Sequence, residues 1–369
     1  MIRILAIDDS ALMRRLLKEV FEAEDDLTVA FARDGAEGLE QLHAFAPNVV
    51  ILDVHMPNMD GLACLDRIML ERACPVVMFS SLTDAGAKET LTALELGAVD
   101  FVLKPTGAVS LKVDEFGPLL VEKVRMAAQV RVARTRRLTE RVRLRIGRAE
   151  PPTRPALHSV VRAAPKPSSR RPLRAADGER LVLVGSSTGG PQALDALLQP
   201  LPADFPWPIV VAQHMPASFT GPLAARLDRA CALTVSEVTR AVALKPGQVY
   251  VGHGGADVIV SRRAGGLVAL SAPLSPEHRW HPSVDRLVDS AHEAAAPEGL
   301  VGVLMTGMGD DGAAAMTRLR AAGGRTIAEA EETAVVWGMP GELARLGGAE
   351  FVEPLETIAD RLLALAAAP

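Results

Sequence analysis

Two groups of residues have the types and spacing to do chemistry. The first is Asp8, Asp9, Asp53, Ser80 and Lys104, each at or just past the end of a short apolar run: RILAI, VVILD, PVVMFS and DFVL. Three carboxylates brought together repel one another unless a hard cation joins them, and an oxygen cage with room for waters suits Mg²⁺. A carboxylate beside such a cation can attack a phosphoryl group, whose developing charge the cation and a lysine would stabilise. Ser80 could then hydrogen-bond the new phosphate.

The second group begins in LVLVGSSTGGPQAL, from Leu181. Gly185-Ser186-Ser187-Thr188-Gly189 fits G-x-S-x-G with Ser187 central, a sharp strand-to-helix turn that exposes one hydroxyl. A phosphate-cradling loop is the alternative, but neither G-x-x-x-x-G-K-[ST] nor G-x-G-x-x-G is present. A serine nucleophile needs a base, and the base needs an orienting acid. His214 ends the next apolar run in VVAQHMP, and Asp310 and Asp311 follow another in VLMTGMGDDGAA. All three groups thus reach one sheet edge.

The elements that must position these residues alternate along the chain. Residues 1–122 carry five Val- and Ile-rich runs separated by helical patterns, such as Leu12, Met13, Leu16, Leu17, Val20 and Phe21 on one face. They predict an α/β fold, a flavodoxin-like doubly wound five-stranded parallel sheet. Residues 179–369 predict a second α/β domain. Its strands are expected at 181–185, 208–213, 248–252, 256–261, 267–271, 299–306, 325–329 and 350–353, mostly parallel. The pair flanking RRAGG reads as an antiparallel hairpin. Helices are expected after 191, 216, 282, 311, 332 and 355. In both domains the chemical residues fall at the carboxyl edge, where open α/β sheets bind ligands.

Between the domains, residues 123–178 read as a linker, an extension of the last helix followed by a Pro-, Ala-, Ser- and Arg-rich tether. Residues 131–174 carry 14 Lys and Arg against two acids, leaving 26 bases against 43 acids elsewhere. The segment lacks aromatics and any nucleic-acid-binding signature, so a solvated tether is the reading and no nucleic-acid partner is expected.

The combination of motifs resembles the chemotaxis receptor methylesterases, protein-glutamate methylesterases that carry a response-regulator receiver. LDVHMPNMDG and LKP carry the receiver likeness; GSSTGG, QHMP, LMTGMGDDGA and HPSVD carry the esterase likeness. It covers nearly the whole chain apart from the linker. It implies Asp53 as phosphoacceptor, Asp8 and Asp9 with Asp53 as the Mg²⁺ site, and Ser80 and Lys104 as the switch pair. It also implies Ser187 as nucleophile, His214 as general base and acid, and Asp311 as the group orienting His214. The esterase itself would need no cofactor. Asp310 stands where the family commonly has Asn, Ser186 where Ala is common, and Trp280-His281-Pro282 where His-Arg-Pro is more usual. His55, two residues after Asp53, reads as a surface residue tuning phosphate lifetime. The oxyanion donors are open between the N–H groups near Thr188 and near Met308.

The implied activity is phosphorylation-activated hydrolysis of glutamate methyl esters on the cytoplasmic helices of chemoreceptors, with glutamine deamidation by the same acyl-enzyme. A histidine kinase of the chemotaxis type would supply the phosphoryl group. A cytoplasmic monomer is expected: MIRILAIDDS reaches two aspartates by position 9, no run approaches the roughly 18 apolar residues of a membrane span, and Cys64, Cys74 and Cys231 are scattered. Two rivals make different demands. A regulator with a DNA- or protein-binding second half would want a basic recognition element there, whereas that half is acidic. A lipase-like small-molecule esterase would want a late histidine, and the last, His292, lies inside a helical pattern.

Overall fold

The computed structural model describes residues 1–81, 83–105, 113–130 and 179–367. The tether read into residues 131–178 lies outside them.

The first domain alternates β1 (Ile2–Ile7), α1 (Ala11–Glu22), β2 (Leu27–Ala32), α2 (Gly35–Phe45), β3 (Val49–Asp53), α3 (Gly61–Glu71), β4 (Val76–Ser80), α4 (Asp84–Glu95), β5 (Asp100–Leu103) and α5 (Val113–Ala127). Helix α5 runs five residues beyond 122. The sheet is wholly parallel, in the order β2-β1-β3-β4-β5. Its strands are continuous Val/Ile runs because helices cover both faces. Helices start where short polar side chains cap them: Ser10, Asp34, Asp60 and Thr83 each accept from a backbone N–H in the first turn.

The second domain contains β6 (Leu181–Ser186), α6 (Gly190–Leu198), β7 (Ile209–Gln213), α7 (Ala217–Ala230), β8 (Thr234–Val238), β9 (Val242–Ala243), β10 (Gln248–Gly252), β11 (Asp257–Arg263) and β12 (Gly266–Ala272). It continues with α8 (Val284–Ala294), β13 (Leu300–Leu304), α9 (Ala313–Ala321), β14 (Arg325–Glu329), α10 (Met339–Arg345), β15 (Phe351–Glu353) and α11 (Leu355–Ala367). Seven parallel strands are ordered β15-β14-β13-β6-β7-β10-β8, and β11, β12 and β9 form a separate antiparallel sheet. The chain winds outward from β6 through β7, then returns to β13 on the other side of β6. The crevice between β6 and β13 is therefore the topological switch point, the place such sheets bind ligands.

Strands β8 and β9 were not expected. Thr234–Val238 reads TVSEV, half polar because β8 is an edge strand with one face toward solvent. The helix expected after 332 begins only at Met339, since residues 330–338 form turns packed on the loop after β13.

The two domains touch through α4, β5 and α5 of the first. Phe101 stacks on Phe219 of α7 with ring centroids 4.5 Å apart. Arg226 of α7 reaches Glu95 of α4 at 2.7 Å. The Gln192 side chain of α6 donates to the carbonyls of Leu94 and Ala98. Among the described residues no helix is long and apolar enough to cross a membrane.

Candidate active site

Ser187 sits in the turn between β6 and α6. Its N–H donates to the Thr306 carbonyl just past β13, and its own carbonyl accepts from Gly190 N–H. The turn is tight enough to need glycine twice. Gly189 has φ +79°, and a Cβ on Gly190 would fall on the Gln213 amide. Ser186 points the other way: it is fully buried and its hydroxyl donates to Gln213 Oε1 at 2.7 Å. Ser187 is thus the half-buried member of the pair, and its hydroxyl has no partner among the described residues.

Gln213, the last residue of β7, was not singled out from sequence. Its amide N–H₂ donates to the carbonyls of Ser187 and His214, at 2.9 and 3.1 Å, so one side chain staples the serine turn to the histidine turn. The His214 N–H in turn donates to the Ser186 carbonyl.

His214 and Asp311 are joined, Nε2 to Oδ2, at 2.8 Å. Asp311 lies where α8 begins. Its carboxylate also accepts from the N–H groups of Val284 and Asp285 and from the Ser283 hydroxyl. Burial works to raise its pKa, but the His214 bond and the helix N–H donors outweigh burial, and the carboxyl lies below its usual range. An ionised carboxylate only accepts, so the proton between the two belongs to His214 Nε2. In the neutral ring Nδ1 then carries a lone pair. It is buried and has no hydrogen-bond partner among the described residues, the state a general base requires. Asp310 is exposed and Asp311 is buried, so only the second of the two candidates meets the histidine.

The indole of Trp280 stacks on the His214 ring, centroids 5.8 Å apart. Arg279 lies over the Trp280 ring, 4.6 Å from its centroid, and pairs with Glu122 of α5 at 3.0 Å. Trp280 thus walls the candidate base, and Arg279 beside it reaches the first domain. The N–H groups of Thr188 and Met308 donate to no acceptor among the described residues, so both turns offer donors to a developing oxyanion.

In the first domain, Asp8, Asp9 and Asp53 bring carboxylate oxygens within 4.8 Å of one another. Lys104 Nζ is 2.9 Å from Asp8 and 2.7 Å from Asp53. Burial, aided by the nearby Asp8 charge, raises the Asp53 pKa against the opposing pull of Lys104. Lys104 itself is raised: burial disfavours its charge, but the two aspartates outweigh that cost. Ser80 is buried and faces α4, where the Thr90 hydroxyl donates to it at 2.7 Å. Among the described residues its hydroxyl makes no hydrogen bond to Asp53 or Lys104, although its carbonyl accepts the Lys104 N–H at 2.7 Å. His55 is exposed and reaches Glu89 of α4 at 3.1 Å.

The oxygen cluster fits a divalent cation: the carboxylates lie close enough to share one ion, with Asp9 on the solvent side leaving room for water.

One contact joins the two domains beside the Ser187 turn. The Thr188 hydroxyl donates to Asp100 Oδ2 of β5 at 2.5 Å, and Lys123 of α5 holds the same oxygen at 2.9 Å.

Comparison with known proteins bears on both halves. Residues 182–362 match the CheB methylesterase family and residues 4–113 the response regulator receiver domain. A protein of Rhodopseudomonas palustris named protein-glutamate methylesterase/protein-glutamine glutaminase 2 is 56% identical, over 97% of this chain and 96% of its own length. A Rhodospirillum rubrum protein named protein-glutamate methylesterase/protein-glutamine glutaminase 3 is 48% identical, over 98% of this chain and 95% of its own. The CheB methylesterase catalytic domain of Thermotoga maritima superposes with a TM-score of 0.49 at 38% identity, covering 51% of this chain and 98% of that one. The chain belongs to the CheB methylesterase family and joins a receiver domain to an ester-hydrolase domain.

Proposed function

We propose that this protein hydrolyses γ-methyl esters of glutamate on the cytoplasmic helices of chemoreceptors, using Ser187, His214 and Asp311. The observation that carries the reading is the His214–Asp311 pair: Nε2 lies 2.8 Å from the carboxylate, Nδ1 is buried with no hydrogen-bond partner among the described residues, and the Gln213 amide ties the His214 turn to the Ser187 turn. In the first half-reaction Ser187 Oγ attacks the ester carbonyl carbon while Nδ1 takes the hydroxyl proton. The tetrahedral oxyanion is held by the Thr188 and Met308 N–H groups. The C–O bond to the methoxy group then breaks, and methanol departs with the proton from Nδ1. Water attacks the acyl-enzyme by the same route, giving one proton to Nδ1, which passes it to Ser187 as the C–O bond to serine breaks; the glutamic acid side chain leaves with water's other proton and ionises in solvent. Asp311 stays ionised throughout and stabilises the imidazolium. A glutamine substrate would give the same acyl-enzyme with ammonia as the leaving group.

The receiver regulates this site. Asp53 accepts a phosphoryl group from a histidine kinase; Asp8, Asp9 and Asp53 would hold Mg²⁺, which supplies charge neutralisation for that transfer. Ser80 and Lys104 turn toward the phosphate. Lys104 gives up its two aspartate partners, and Ser80 its bond with Thr90 of α4. The same α4 carries Glu95 and Leu94, which hold Arg226 and Gln192, and Asp100 lies at the start of the strand that Lys104 follows. The docked receiver therefore covers the esterase edge, and phosphorylation shifts the population toward an undocked form. A chain acting as a monomer in the cytoplasm suits this arrangement.

Release of methanol from a methyl-labelled receptor fragment, with and without a small-molecule phosphodonor, tests the reading. Methanol should appear, faster with the phosphodonor, and simple aryl esters should be poor substrates. Rapid aryl-ester cleavage without methanol release would favour a small-molecule esterase.

A further inference from the structure

Glu329 ends β14 with its side chain fully buried, and the proposed reaction does not use it. Its Oε2 accepts from the Thr306 N–H at 2.8 Å, and its Oε1 from the Thr333 hydroxyl at 3.1 Å. Thr306 is the hub of the active-site loops. Its carbonyl accepts the Ser187 N–H at 2.9 Å, its hydroxyl donates to the Thr188 carbonyl at 2.9 Å, and the same oxygen accepts from Val336 N–H. The Glu329 carbonyl adds a bond from the Trp337 indole, which pins the 333–338 loop against the same turn. Both candidate oxyanion donors, Thr188 and Met308, lie within two residues of a group that this carboxyl holds directly or through Thr306.

We propose that Glu329 is a positioning residue of the esterase: its carboxyl fixes the Thr306 peptide and hence the Ser187–Thr188 and 306–308 turns, and its proton state sets how well those turns stabilise a negative oxygen. The proposal rests on Ser187 being the nucleophile. No cation pairs with Glu329 among the described residues. The charged groups facing it are acids or already committed: Glu356 at the start of α11, and Glu353 across the β14–β15 pair, which holds Arg361. Burial, with Glu356 adding to it, lifts the carboxyl to about 7 against the bonds from Thr306 and Thr333. Near neutral pH the group is therefore divided between two states. The neutral acid keeps Thr306 N–H on one oxygen and donates its own proton to Thr333. The carboxylate holds both donors but places a buried negative charge behind the turns that must accept oxyanion charge, which disfavours the transition state.

The test is the pH dependence of methanol release from labelled receptor by the full chain with phosphodonor, for wild type, E329Q, E329L and S187A. Glutamine reproduces the hydrogen bonds of the neutral acid and cannot ionise. The ratio of kcat for E329Q to that of wild type should rise severalfold between pH 6 and 9, with KM unchanged. E329L leaves Thr306 N–H without an acceptor and should lose kcat at least tenfold at every pH, again with KM unchanged. Should E329L not fold, infrared difference spectra of wild type against E329Q should still show a protonated carboxyl that disappears as pH passes through 7. Superimposable kcat profiles for wild type and E329Q, or the absence of that carboxyl band at pH 6, would overturn the proposal. An active S187A would instead overturn the nucleophile assignment.

Discussion

The two sheet edges use carboxylates in opposite ways. In the receiver, Asp53 has one lysine, a like-charged neighbour and one weak backbone donor, and its pKa is raised. In the esterase, Asp311 has a histidine, two helix N–H groups and a serine hydroxyl, and its pKa is lowered. The first is an arrangement whose charge balance changes when a cation or phosphoryl group arrives. The second already has its donors in place. The contrast sets a site whose charges an arriving group would alter against one whose donors are already fixed; under the proposed regulation, the surface between the domains is where the first would act on the second.

The comparison breaks most visibly at Asp311. Asp311→Asn should lower kcat by roughly 10⁴-fold, as when a triad acid is replaced by its amide, whereas Asp310→Asn should change the rate little, its side chain being exposed. Steady-state kinetics on labelled receptor rank the two, and the reverse ranking would move the orienting acid to Asp310.

Next in size is the receiver's own chemistry. Asp53→Asn should abolish phosphodonor activation while leaving basal methanol release intact. Chelation of divalent cations should do the same. Loss of basal activity on chelation, with no phosphodonor present, would mean that the esterase itself needs a metal.

The interface should give a smaller effect. Asp100→Asn weakens the Thr188 and Lys123 contacts, and Arg226→Ala removes the link to Glu95. Each should raise the unphosphorylated rate severalfold, since a tethered domain docks by modest interface energy at high effective concentration. Unchanged basal rates in both variants would argue against masking.

The remaining effect is on stability, not on rate. The Glu329 carboxyl holds its proton to about pH 7 when folded, whereas in the unfolded chain it ionises near 4.5. Between those values the unfolded state binds fewer protons, so stability falls as pH rises through that window and levels off above it. The span is on the order of 3 kcal/mol. Thermal melts of E329Q should lack this part of the slope; an identical slope in wild type and E329Q would place the ionisation elsewhere.

Much of this was legible because the chemical residues stand at strand ends, where a run of Val and Ile stops and a turn begins. Ser187, His214 and the two aspartates could be placed on one edge from that pattern alone. Choosing between Asp310 and Asp311 could not be done by spacing: the choice depends on Ser283, Val284 and Asp285, nearly thirty residues away, whose N–H groups and hydroxyl gather around one carboxylate only. Gln213 read as the polar end of a strand, and its double staple is visible only when β6 and β7 are adjacent. Glu329 stands in IAEAEE as one acid among several, and nothing local marks it as buried. The Thr188–Asp100 contact joins residues 88 positions apart on two domains, beyond any periodicity. Strand β8 was missed because an edge strand with one wet face lacks the continuous apolar run that identified its neighbours.

The central claim is that Ser187, and not the buried serine before it, is the nucleophile. Methanol release from labelled receptor should be compared for wild type, Ser186→Ala and Ser187→Ala in the presence of phosphodonor. The account predicts background release from Ser187→Ala and most of the wild-type rate from Ser186→Ala. A dead Ser186→Ala beside an active Ser187→Ala would contradict it.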